Sequence, residues 1–191
     1  SPANYLRRRE ISYYYNYCGP IVDIFVSHLF RKEAKRDFGT LSGDPLFNDF
    51  LKDADFEGST FTHFMRDAQR LSSIYGRVSI IVDRPKAIAG TLAEAHSAGV
   101  RPYVSLITPE NLLDWSYSRA ENGRPVLEMV KIKEGADTYR IWTREHWELW
   151  LKDEKEARLV DAGGHGIGEV PVVTLYNKKS GIRMVGISDI Q

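Results

Sequence analysis

Asp83 closes the stretch Tyr75-Gly76-Arg77-Val78-Ser79-Ile80-Ile81-Val82-Asp83-Arg84-Pro85, an apolar run that ends in a carboxylate. Nucleotide hydrolases deliver a magnesium-binding aspartate from a strand tip in this way, so Asp83 is the first candidate for chemistry. Its partner would be a phosphate-cradling loop of the form G-x-x-x-x-G-K-[ST], and the sequence contains none. Gly39-Thr40-Leu41-Ser42-Gly43-Asp44 has suitable glycines and no lysine. The structural reading of the same stretch is a buried strand with Asp83-Arg84-Pro85 as its exit turn.

Other candidates also fail at their second requirement. Gly163-Gly164-His165-Gly166-Ile167-Gly168 is rich in glycine, but Glu169 stands where a dinucleotide fingerprint from Gly164 and Gly166 needs its third glycine, so a mobile loop is expected instead. Asp137 with Asp153-Glu154-Lys155 could supply a nuclease carboxylate and an acid-x-lysine triplet, yet the triplet falls where a hairpin turn is expected. His28, His63, His96, His146 and His165 have no metal-ligand spacing and no cysteine partners beyond Cys18. The nucleophile pattern G-x-S-x-G is absent. Trp142, Trp147 and Trp150, interleaved with Arg140, Arg144 and Lys152, could stack nucleic-acid bases, pack across strands, or form an interface.

The elements that would position these residues follow from hydrophobic spacing. Ile11, Tyr14, Tyr15, Cys18, Ile21, Val22, Phe25 and Leu29 recur at helical intervals, and Gly19-Pro20 divides them into helices over 3–17 and 20–32. Cys18 is read as part of the core of these helices. Arg7, Arg8 and Arg9, then Arg31, Lys32, Lys35 and Arg36, make this portion basic. A short amphipathic helix follows over 44–55. The next is capped at Ser59 or Thr60, carries a stripe of Phe61, Phe64, Met65, Ala68, Leu71 and Tyr75, and stops at Gly76. Strands are expected at 78–83 and 101–107, with a small helix over 91–98 between them and one helical turn over 108–111 after them. Beyond 113, Asn122-Gly123 signals a hairpin, and short strands over 138–143, 147–152, 157–161 and 170–176 complete a meander.

Length and composition admit one sizeable core. The 191 residues include 42% hydrophobic and 27% charged, with Lys+Arg and Asp+Glu balanced at 26 each, so no global field draws the chain to nucleic acid or anionic lipid. No apolar run approaches the roughly 20 residues that span a bilayer. One cysteine excludes an internal disulfide. The opening Ser1-Pro2 and the close at Ile190-Gln191 suggest a piece of a longer protein.

The order of parts resembles the portal proteins of tailed bacteriophages, which form the channel at the capsid vertex through which DNA is packaged and ejected. The resemblance lies in YLRRREISYYYNYCGPIVDIFVSHLF, in DADFEGSTFTHFMRDAQRLSSIYGRVSIIVDRP, in RPYVSLITPENLLDWSYSRAENGRPVLEMVKIKE, and in GEVPVVTLYNKKSG. It implies an α+β fold, with N-terminal helices packed on a mixed, largely antiparallel sheet and a β-meander. Residues 1–113 would form the helical and α/β part of the portal wing and 114–191 its meander. Stem, clip and crown would follow Gln191.

The implied role is structural and non-enzymatic, with no catalytic residue, cofactor or metal. The partners are further copies in a ring, usually of twelve; the major capsid or scaffolding protein; and, through parts beyond this segment, the packaging terminase, the head-tail adaptor and double-stranded DNA. The place is the virion, and the host cytoplasm during assembly. Arg7, Arg8, Arg9, Trp142, Trp147 and Trp150 are the expected interface residues. The alternatives are a metal-dependent nuclease or nucleotide hydrolase centred on Asp83, and a nucleic-acid module built on the tryptophan meander.

Overall fold

The computed structural model describes residues 2–12, 15–85, 91–154 and 156–190. Tyr13 and Tyr14 of the expected first helix, and Lys155 of the acid-x-lysine triplet, lie outside them. In chain order, α1 (Pro2–Ile11) and α2 (Cys18–Leu29) are followed by a 3₁₀ turn at Gly39–Gly43, then α3 (Pro45–Lys52), α4 (Phe61–Tyr75), β1 (Arg77–Asp83) and α5 (Leu92–Ser97). The remainder is strand: β2 (Tyr103–Ile107), β3 (Leu112–Arg119), β4 (Pro125–Lys133), β5 (Thr138–Thr143), β6 (His146–Lys152), β7 (Ala157–Gly164), β8 (Val172–Tyr176), β9 (Lys178–Lys179) and β10 (Gly186–Ile187). Helices packed on antiparallel sheets make this an α+β fold.

Local signals set the boundaries. Asp44 accepts the Phe47 N–H and Pro45 occupies the first turn of α3. Thr60 accepts the His63 N–H to start α4, and Gly76, at φ 81°, ends it in the left-handed conformation. Thr91 and Glu94 form a reciprocal box at the start of α5, each side chain accepting the other's backbone N–H at 3.2 Å. The expected turn over 108–111 is present, closed by the Asn111 and Leu112 N–H groups on the Thr108 carbonyl.

Three layers result. β2-β1-β8 form one antiparallel sheet and β3-β4-β5-β6-β7 a second. β1 is central in the first, and successive residues serve opposite faces. Ile80 joins the helix-side cluster of Ala54, Phe64 and Val104, whereas Ile81 joins the inter-sheet cluster of Leu112, Val130, Ile132, Trp142, Trp147, Val170 and Met184. That double burial explains the nearly continuous apolar run of β1. β8 crosses the expected boundary at 113/114, pairing Val173 with Ile80 and Leu175 with Val78.

Two expectations are corrected. Gly163 and Gly164 belong to β7, paired with Trp147 and His146. The rest of that loop is tied down: one His165 nitrogen lies 3.0 Å from the Thr143 carbonyl oxygen, the Ile167 N–H reaches the other, and Arg144 Nε donates to the Gly168 carbonyl. Cys18, expected in the core, is half-buried. Its helix buries only Val22 and Val26, toward α4, where Asp23 pairs with Arg70 at 2.6 Å. Ile21, Ile24, Phe25 and Leu29 remain 52–65% exposed.

Candidate functional site

The Asp83 carboxylate is occupied by its neighbours. Its Oδ2 accepts the Tyr103 hydroxyl at 2.9 Å across the β1–β2 pair, and Oδ1 accepts the Arg84 N–H. Burial, then the negative charge of Asp83 and this hydrogen bond, push the Tyr103 phenol up to about 12. Among the described residues, no group of three His, Cys, Asp or Glu side chains is placed to hold a metal. The geometry makes Asp83 a clamp between strand ends.

The meander contains a second chemical pattern, a hydroxyl, imidazole and carboxylate in series, that sequence reasoning missed. Thr143 Oγ1 lies 3.0 Å from His146 Nδ1, and His146 Nε2 lies 3.3 Å from Glu148 Oε1. This is the order of nucleophile, base and orienting acid. Thr143, however, donates its proton to the His146 carbonyl at 2.8 Å and accepts the N–H groups of Glu145 and His146. Glu148 Oε2 is taken by Trp150 Nε1. The hydroxyl has no second proton to pass to the imidazole, so the string locks the β5–β6 turn. Threonine three residues ahead of histidine across a two-residue turn was the available signal.

The tryptophans do not form a stacking surface. Trp142 and Trp147 are 1% and 9% exposed, with ring centroids 6.4 Å apart, so neither is open to a subunit or a base. The Arg140 guanidinium covers both rings, 5.9 and 4.8 Å from their centroids, and is held by Glu134. Trp150, bonded to Glu148, is half-buried. Trp142 and Trp147 are therefore corrected as interface or base-stacking residues, because cross-strand packing used their rings first. Arg7, Arg8 and Arg9 are exposed on α1, a separate element.

Deeper in the molecule lies an uncompensated cation. Arg77 is 7% exposed, its guanidinium 5.3 Å from the Trp115 ring centroid, and its Nη1 is buried without a hydrogen-bond partner. Burial pulls its pKa down, opposed by Tyr176 and Tyr117. Ser79 Oγ, on the same face of β1, and Trp142 Nε1 are likewise unpaired. Polar atoms of this kind sit where ordered water commonly binds.

One concave surface is apolar. Between the 3₁₀ turn, α3, α4 and the helix-side face of the first sheet runs a groove of about 680 Å³, walled by Phe47, Phe50, Phe64, Val82, Val104 and Val173. Val82 and Val173 are 37% and 61% exposed in it. Among the described residues, the exposed apolar side chains of α2 add a convex apolar surface to this concave one. That arrangement can do association, and among the described residues it contains no group of His, Cys, Asp or Glu placed to hold a metal. Compared with known proteins, the chain matches no family model and no curated sequence.

Proposed function

We propose that the chain is the wing region of a tailed-bacteriophage portal protein, a non-enzymatic subunit of a closed ring of identical copies, twelve by the resemblance, around the DNA channel at the capsid vertex. The observation that supports this most is how the resembled stretches fall on consecutive elements. Glu57-Gly58-Ser59-Thr60 leads into α4, Gly76-Arg77 joins α4 to β1, and Asp83-Arg84-Pro85 ends β1. Pro102-Tyr103 opens β2, Thr108–Asn111 forms the turn after it, and Asp114-Trp115 lies in β3.

Two further facts favour assembly. A closed ring joins different patches of neighbouring copies, and the described residues include exposed apolar side chains on α2 and in the groove, two different places. Its balanced charge suits a part that faces neighbouring subunits and capsid or scaffolding protein more than DNA. Terminase, adaptor and channel contacts belong, in this reading, to other parts of the protein. Native mass spectrometry and electron microscopy of the full-length protein test the proposal. Closed rings are expected, and a strictly monomeric particle under assembly conditions would sink it. An Asp83-centred hydrolase would instead show Mg²⁺- or Mn²⁺-dependent turnover that Asp83→Asn abolishes.

A further inference from the structure

We infer that Arg77, Arg183, Tyr117 and Tyr176 form a binding site for a small monovalent anion, chloride being the simplest member of the class, at one end of the inter-sheet layer. The inference goes beyond the ring reading and does not depend on it.

The four residues come from separate parts of the chain. Arg77 opens β1, and Tyr176 is its cross-strand partner on β8. Tyr117 and Trp115 lie on β3 of the other sheet, and both pack against the inter-sheet core. The Arg77 guanidinium is 5.3 Å from the Trp115 ring centroid. The Arg183 guanidinium is 5.3 Å from the Tyr117 ring centroid, and Arg183 is exposed, so the cluster opens to solvent on that side. Burial and then Tyr176 push the Tyr117 phenol up while Arg183 and Arg77 hold it down, so one hydroxyl feels both cations.

The cluster has donors to spare and no negative charge. Arg77 is 7% exposed, and its Nη1 is sealed from solvent without a partner. The titratable groups that act on it are Tyr176 and Tyr117, both phenols, a group that is neutral near pH 7. The Tyr176 hydroxyl accepts the Met184 N–H at 3.1 Å. Its own proton is directed at the Met184 sulfur at 3.9 Å, a weak acceptor that a stronger one displaces.

Water would be enough for Ser79 Oγ and Trp142 Nε1, which are neutral. At Arg77 it would accept a hydrogen bond and leave the buried charge unmatched. A buried charge without a counter-charge is costly, whereas an anion cancels it and also accepts from the two hydroxyls. One cation of the pair is buried, and this sets the ligand's charge at one. Arg183 keeps its hydration at the surface, so a second negative charge would have to be desolvated with no buried partner.

The test is chloride-35 line broadening by the folded protein, with gluconate holding the ionic strength constant. The unmodified protein should broaden the chloride line, and bromide should reverse the broadening by competition. Tyr117→Phe should weaken chloride binding about tenfold, the worth of one hydrogen bond to a charged group. Arg183→Ala, at an exposed position, should weaken it about two- to fivefold, as a surface charge does. Arg77→Met, which keeps the packing of the stem, should abolish it.

An unmodified protein that leaves the chloride line unchanged overturns the site, as does broadening that bromide fails to reverse. Broadening that persists in folded Arg77→Met, or that Tyr117→Phe and Arg183→Ala both leave untouched, also overturns it, because the chloride would then sit elsewhere. Should Arg77→Met fail to fold by circular dichroism, the two milder variants decide the matter in the same way.

Discussion

Gly186 lies back to back with Gly76: a Cβ on Gly186 would stand 2.0 Å from the Gly76 carbonyl oxygen, and one on Gly76 would stand 2.7 Å from that of Gly186. Neither neighbour is a flexible side-chain end, so the backbone itself must move. Gly76 also holds φ at 81°, where a side chain is strained. Gly186→Ala and Gly76→Ala are each expected to lose about 1–3 kcal/mol in urea unfolding, the range of overpacked sites. Gly135→Ala, whose Cβ would meet only Thr138 at 3.5 Å, is the control and should be near neutral.

The same tail completes the C-terminus of α4. The Ser188 hydroxyl lies 2.6 Å from the Ile74 carbonyl oxygen and 3.1 Å from that of Ser73, which also accepts the Asp189 N–H. Helix ends leave carbonyl groups without partners, and here a segment more than a hundred residues away supplies them. Ser188→Ala should cost about 0.5–1.5 kcal/mol, one net hydrogen bond. Hydrogen exchange should show faster loss of protection at the last turn of α4 than at its first.

Which parts of this were legible in the sequence follows from their range. The start of α4 at Thr60, its stop at Gly76 and the hairpin at Asn122-Gly123 depend on residues a few positions apart, and spacing reveals them. Ser72 and Ser73 are buried on α4 through polar contacts, Ser72 to the Gln69 carbonyl, so an apolar stripe passes over them. The return of β8 to β1 and of Ser188 to α4 are long-range pairings that no local pattern carries. The open surfaces were read least well. Apolar spacing says that α2 has two faces to cover, but not that one of them is left uncovered by its own chain.

The tryptophans separate surface from core by measurement. Trp142→Ala should lose about 3–5 kcal/mol, as fully buried aromatic truncations do. Trp150→Ala should lose less, since the ring is half-buried and its Nε1 bond to Glu148 is replaceable by water. If both changes cost the same, the assignment of Trp142 to the inter-sheet core is wrong. Acrylamide quenching gives the independent readout, with Trp142 and Trp147 shielded and Trp150 the more accessible.

Arg101 joins the loop before α4 to β2. Its Nη2 meets Asp53 Oδ2 at 2.7 Å, its guanidinium lies 4.2 Å from the Phe56 ring centroid, and Phe56 is held at φ 63°. The Arg101 side chain is 8% exposed and that of Asp53 34%, so removing the cation leaves a carboxylate that water can partly recover. Arg101→Ala should therefore cost about 3 kcal/mol, the low end for a broken buried pair. Arg101→Met should cost less, because it keeps the packing against Phe56. Equal losses would mean that the charge alone matters here.

Tyr103 and Asp83 give the pH prediction. The folded phenol titrates at about 12 and the unfolded one at its ordinary value of 10.0, so the native state keeps its proton where the unfolded chain has lost it. The stabilisation is complete below pH 10 and declines as pH rises toward 12. Spectrophotometric titration should find one tyrosine ionising late. In Asp83→Asn the amide oxygen can still accept from the hydroxyl, but the charge is gone, so that tyrosine should ionise earlier while burial keeps it above the ordinary value. Stability at neutral pH should fall by about 1 kcal/mol with the weakened hydrogen bond. A late tyrosine unmoved by Asp83→Asn would show that burial alone holds Tyr103, and would remove Asp83 from its place as the clamp of β1 and β2.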